Sequence, residues 1–186
     1  MGLNSLSARA TNTDITIAED GKTATVVLNT RHNGKNGNYF MVQYHYTVCA
    51  TGVLMVNTFI QPSSPGAVLP KMGFRCEMPA EMEQLAWYGR GPWDSYVDRK
   101  EACFPAIYES TVSDQREDYI KPQEHGTKQE VRWIALTNSE GKGVAFVAPD
   151  LMAASALHFR VEDNYTDRNN RAKHTYAFKT CANTIV

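Results

Sequence analysis

Asn38-Tyr39-Phe40-Met41-Val42-Gln43-Tyr44-His45-Tyr46-Thr47-Val48-Cys49-Ala50 is the stretch that decides the fold. Phe40, Val42, Tyr44, Tyr46 and Val48 fall on one side of an extended chain, and Gln43, His45 and Thr47 on the other. That period of two is the mark of a strand with one buried face. Thr51-Gly52 supplies a turn, and residues 53–60 read as the antiparallel partner. Upstream, Ile15 and Ile17 face the run Thr23-Ala24-Thr25-Val26-Val27-Leu28 across Glu19-Asp20-Gly21-Lys22, a hairpin turn with glycine where a positive φ is needed. Downstream, residues 61–66 hold two prolines and two serines and form a connector. Further strands are expected at 72–78, 84–88, 131–137, 143–147, 157–161 and 175–180, with Asn138-Ser139-Glu140-Gly141-Lys142 turning between two of them. No stretch keeps a helical period for three turns. Residues 79–82 and 150–154 are expected to form single helical turns. The class is all-β and antiparallel, with long loops between strands.

With 186 residues the chain is long enough to bury roughly 70% of the surface its unfolded state exposes, so its core needs no covalent staples. Lysine and arginine number 19 against 20 acidic residues, a balance that points away from nucleic acid and from anionic membranes as partners. No apolar run approaches a membrane span, and no charged start is followed by an apolar leader core. Cys49, Cys76, Cys103 and Cys181 are far apart, lack any CxxC spacing and sit in strand-like contexts, so they read as buried free thiols. His32, His45, His125, His158 and His174 are scattered without the spacing of a metal site.

Between residues 89 and 126 the texture changes to aromatics, charges and prolines with weak periodicity. Loops of that length in a compact β-fold carry function or pack against another module, so the function is sought there. Trp87-Tyr88-Gly89-Arg90-Gly91-Pro92-Trp93-Asp94-Ser95-Tyr96-Val97-Asp98-Arg99-Lys100 resembles the G-x-G-P-x-x-x-Y-x-D-R signature of the last domain of family-two β-galactosidases. Tyr119-Ile120-Lys121-Pro122-Gln123-Glu124-His125-Gly126 resembles the same domain's Y-x-x-P-Q-E-[NH]-G, and Val131-Arg132-Trp133 resembles the strand that follows. The likeness covers roughly residues 67–186, with 3–64 reading as the start of the same sandwich.

The resemblance implies a single supersandwich domain over residues 3–186, similar to galactose mutarotase, with Met1 and Gly2 an appended start. It implies a non-catalytic module that follows a catalytic (β/α)₈ barrel, packs on it and shapes the rim of a site for β-galactosides. The catalytic carboxylates would belong to the barrel, and no catalytic residue is expected in this chain. A retaining glycosidase needs two carboxyls about 5–5.5 Å apart on a rigid scaffold, and a barrel takes about 250 residues with alternating helices. No cofactor is expected here either, any need for magnesium or sodium falling to the parent enzyme. The run from Cys181 to Val186 ends without a turn or polar tail, so the sandwich is expected to lack its closing strand. A vacant sheet position there would invite pairing with a second copy. The compartment, cytoplasmic or periplasmic, is left open.

Seven residues are candidates for sugar contact: Trp87, Arg90, Trp93, Asp98, Arg99, Glu124 and His125. Trp87 and Trp93 could each stack on the apolar face of a pyranose, although Trp87 also reads as the end of a core strand and Trp93 as packing under its own loop. Asp98 and Arg99 are neighbours on an extended chain and so serve different partners. Arg99 is expected to hold a buried loop carboxylate, with Glu124 the candidate. Glu124 and His125 are residue types that mutarotases use as base and acid, but sequence neighbours rarely converge on one atom. A free-standing mutarotase and an independent carbohydrate-binding module are the alternatives. The run 162–167 reads as a solvated loop.

Overall fold

The computed structural model describes residues 2–66, 68–69, 71–121 and 123–160, together with the backbone of 181–185. Among these residues it is all-β, as the periodicity predicts, with two antiparallel sheets and two single-turn 3₁₀ segments, Leu3–Ser5 and Ser113–Gln115. The chain divides into two compact units, Met1–Leu69 and Pro70–Val186.

The first unit is a four-stranded meander in the order β1-β2-β3-β4, with β1 Ser7–Ile17, β2 Thr23–Asn33, β3 Tyr39–Cys49 and β4 Leu54–Pro62. Both expected hairpins form. Ile15 pairs with Val26 and Ile17 with Ala24, while Gly21 takes φ 67° in the turn between them. Cys49 N donates to Val53 O at 2.9 Å across the second turn, where Gly52 takes φ 87°. The alternation along β3 holds at its start, where Phe40 and Val42 are buried, and fades towards an exposed Val48. β4 runs on through Pro62, opposite Phe40, into what the sequence marks as connector.

Among the described residues the second unit forms a six-stranded sheet in the order β5-β10-β9-β8-β6-β7. Its strands are β5 Phe74–Met78, β6 Gln84–Gly91, β7 Phe104–Thr111, β8 Lys128–Thr137, β9 Gly143–Leu157 and β10 Cys181–Ile185. Leu85 and Trp87 from β6, Val131, Ile134 and Leu136 from β8, and Ala154 and Ala156 from β9 pack with Val112 into one core. Strict alternation would not place both Val131 and Ile134 inside, since they are three residues apart. Register shifts between Lys128 and Val131 and again between Val131 and Trp133 make it possible, with Glu130 at φ 54° in the first.

Several expectations are corrected. Residues 150–154 are not a helical turn but part of β9, where Met152 pairs with Val131 and Ala154 with Lys128. Their helix-favouring composition yields to pairing and burial. Residues 79–82 close as a turn through Met82 N donating to Pro79 O at 3.0 Å, without a helix. β7 lies inside the segment taken as weakly periodic loop. Its signal is masked because the outer face carries Pro105, an exposed Ile107 and Glu109, while the inner face carries Ala106, Tyr108 and Ser110 after an exposed Phe104 at the strand's start. The strand expected at 157–161 ends at Leu157. β10 is no edge strand, being paired with β5 on one side and β9 on the other. A vacancy beside it is therefore ruled out, and β5 and β7 bound the sheet among the described residues. Cys103 is a buried free thiol, but Cys49 and Cys76 are only half-buried. The expected strand at 175–180 and the loop at 162–167 lie outside the described residues.

Candidate functional site: the loop between Gly91 and Phe104

β6 delivers the first motif. Gly89 and Gly91 both lie where a side chain cannot fit: a Cβ would come within 2.8 Å of Val131 Cγ2 at Gly89 and of the Tyr108 ring at Gly91. The G-x-G spacing thus lets the strand end run close against β8 and β7. The chain then leaves the sheet through a cis Gly91–Pro92 bond. Ser95, wholly buried, pins the loop's middle to the chain just after the second motif: its N–H donates to Thr127 O at 2.7 Å, and its Oγ accepts from Gln129 N at 2.9 Å. Tyr96 and Arg99 close a tight turn by exchanging backbone bonds of 3.2 and 2.9 Å.

A carboxylate ties the two motifs together. Asp94, 6% exposed at its side chain, accepts from Arg99 Nη2 at 2.9 Å, from the Tyr119 hydroxyl at 3.0 Å and from Gly126 N at 3.3 Å. Arg99 Nη2 also donates to the Tyr119 hydroxyl at 2.6 Å, so that oxygen accepts from the cation while giving its proton to the carboxylate. Burial pushes the Tyr119 hydroxyl above its ordinary range, which keeps that proton in place. Arg99 does hold a buried loop carboxylate, but the carboxylate is Asp94 and not Glu124. Glu124 accepts from Lys71 Nζ at 2.8 Å and from Thr127 Oγ1 at 3.4 Å.

The seven candidates separate. Trp87 is 1% exposed, stacks on Tyr108 at 5.3 Å between centroids and donates from Nε1 to Arg90 O at 3.1 Å. It is a core residue, out of reach of a sugar. Arg90 is spent on the fold: Nη1 donates to Lys100 O at 3.2 Å and Cys103 O at 2.8 Å, and Nε lies 2.9 Å from Glu130 Oε2. Lys100 Nζ reaches the other Glu130 oxygen at 2.7 Å, and these two cations, Lys100 foremost, hold the Glu130 carboxyl below its ordinary range. His125 is buried, with Nδ1 2.9 Å from Gln123 O and its ring against Phe159. It makes no contact with Glu124 that would join the two as an acid–base pair.

Trp93, Asp98 and Arg99 do come together. They line an open depression of about 540 Å³ with Val97, Lys100 and Glu101. Trp93 is 63% exposed and Val97 82%, so this loop shows water an indole and an isopropyl group above a rigid, hydrogen-bonded base. Such a surface offers a flat apolar platform ringed by donors and acceptors, as a pyranose requires. Sequence reasoning passed over Asp94, Ser95, Tyr119 and Lys128. Asp94 and Tyr119 stood inside the quoted motifs, and the signal that could have found them is the need of Arg99 for a partner. Among the described residues no three His, Cys, Asp or Glu side chains gather as a metal cage. No helix among them is long and apolar enough to cross a membrane.

Comparison with known proteins places this chain in a family. The chain is 37% identical to a β-galactosidase of Priestia megaterium over 114 residues, which is 61% of this chain and 11% of that protein. It is 33% identical to a β-galactosidase of Halalkalibacterium halodurans over 106 residues, covering 55% of this chain and 10% of the other. A β-galactosidase of Staphylococcus xylosus is 27% identical over 132 residues, 68% of this chain and 13% of its own. The chain thus spans about a tenth of the length of these relatives. The family described as beta galactosidase small chain matches residues 2–186. This chain belongs to the β-galactosidase small-chain family.

Proposed function

We propose that this chain is the non-catalytic small-chain part of a β-galactosidase, packing on the catalytic barrel and offering the Trp93 loop to a β-galactoside at the rim of the active site. The observation that carries the reading is the exposed Trp93 indole beside Asp98 and Arg99, on a loop fixed by the buried Asp94–Arg99–Tyr119 cluster. A platform of this kind acts by binding and orienting. The indole stacks on the sugar's apolar face, and the half-exposed Arg99 and exposed Asp98 meet its hydroxyls. Bond cleavage is left to carboxylates outside this chain. The membership of the family and the β-galactosidase identity of its relatives support this division of labour.

Titration calorimetry of the chain with galactose and lactose tests the reading. Weak binding is expected, with Kd on the order of 1 mM, about −4.1 kcal/mol, and it is lost in Trp93→Ala. Unchanged affinity in that variant overturns the assignment of Trp93. Anomeric interconversion of α-galactose, followed by polarimetry, should run at the uncatalysed rate. Acceleration by the protein would favour a mutarotase instead.

A further inference from the structure

We propose that Lys128 is the positioning residue of the Trp93 loop: its ammonium, buried beneath the motif, holds the Pro92 carbonyl and so fixes where the neighbouring indole stands. This inference rests on the reading of Trp93 as the sugar-facing group. Lys128 is 3% exposed, which is rare for a lysine. Its Nζ donates to Pro92 O at 3.0 Å and lies 4.9 Å from the centre of the Trp87 ring. Pro92 O belongs to the peptide bond that leads directly into Trp93. The register shift between Lys128 and Val131 is what turns both of these side chains inward, since regular alternation would bury one and expose the other. A desolvated cation is costly, and a methionine would fill the same inward position without one. What the lysine adds is a charged donor aimed at one carbonyl of the motif.

The groups around Nζ come from three segments: Asp94 after β6, Cys103 before β7 and Glu117 after β7. Burial is the main influence and lowers the ammonium to about 8, so its charge changes within reach of experiment.

The test is ¹⁹F NMR of the chain labelled with 5-fluorotryptophan. Its three tryptophans give three lines, assigned with Trp93→Phe and Trp87→Phe. In the wild type the Trp87 and Trp93 lines should shift together with pH, with one midpoint near about 8. Lys128→Met should abolish both titrations and displace the Trp93 line. Lys128→Arg, charged throughout this range, should also be flat but return the Trp93 line to its low-pH wild-type position. The Trp133 line reports folding in every variant. Should Lys128→Met not fold, the wild-type titration and Lys128→Arg decide alone. A Trp93 line that stays still while Trp87 titrates overturns the proposal, as does a midpoint that survives in Lys128→Arg. Adding galactose separates the two readings. Coupled titration without a galactose response leaves the role of Lys128 intact and removes the sugar assignment of Trp93.

Discussion

Replacing Arg99 with alanine removes the cation that faces a buried carboxylate. Asp94 Oδ1 loses its 2.9 Å partner but keeps the Tyr119 hydroxyl at 3.0 Å and Gly126 N at 3.3 Å through Oδ2. Breaking a fully buried pair costs about 3–5 kcal/mol, but Arg99 is 51% exposed and water can enter where it stood. The loss should therefore be nearer that of one hydrogen bond to a charged group, about 1.5–3 kcal/mol. For a chain of this length that lowers Tm by roughly 3–12 °C, at about 2–4 °C per kcal/mol. Thermal unfolding followed by circular dichroism at neutral pH measures it. Asp94→Asn completes a double-mutant cycle: once the carboxylate is gone, removing Arg99 should cost less by about 1 kcal/mol or more. A melting temperature unchanged in Arg99→Ala, or strict additivity in the cycle, would mean that Arg99 serves a partner outside this chain and that the cluster does not hold the loop.

Two further perturbations separate fold from site. Trp87→Ala should destabilise the chain by about 3–5 kcal/mol, because its indole sits at the centre of the second unit's core, and urea denaturation should show a lower midpoint. Lys128 gives a pH dependence whose sign follows from its lowered value. The unfolded chain binds that proton more tightly, so stability should rise with pH from about 8 towards 10.5, by on the order of 3 kcal/mol in all. Lys128→Met should remove this rise and be no less stable at neutral pH, which urea titrations at pH 7 and pH 9.5 would register.

Much of the fold was legible because it depends on alternation. Phe40, Val42, Leu85, Trp87, Ile134 and Leu136 announce their strands by spacing alone, and glycines at 21 and 52 mark turns whose backbone demands them. What stayed hidden follows from departures from that rule. β7 was lost because Ile107 faces water on one side, and the other carries alanine, tyrosine and serine after an exposed Phe104. The far half of β9 was lost because Met152, Ala153 and Ala154 favour a helix until Val131 and Lys128 pair with them. The site was legible as two motifs but not as a geometry. Arg99 needed a carboxylate, and the sequence offered Glu124 because it stood in the other motif. The actual partner, Asp94, is five residues away, across a turn closed by Tyr96 and Arg99. Lys128 was invisible because only a break in strand register explains an inward lysine.

The central claim is that this chain helps a β-galactosidase bind without itself breaking the glycosidic bond. Hydrolysis of a chromogenic β-galactoside by the purified 186-residue chain tests it most directly. The rate should equal that of buffer, in the wild type and equally after substitution of Asp98, Glu101 or Glu124. Turnover above background that disappears when one of these carboxylates is replaced would contradict the account and make this chain the catalyst.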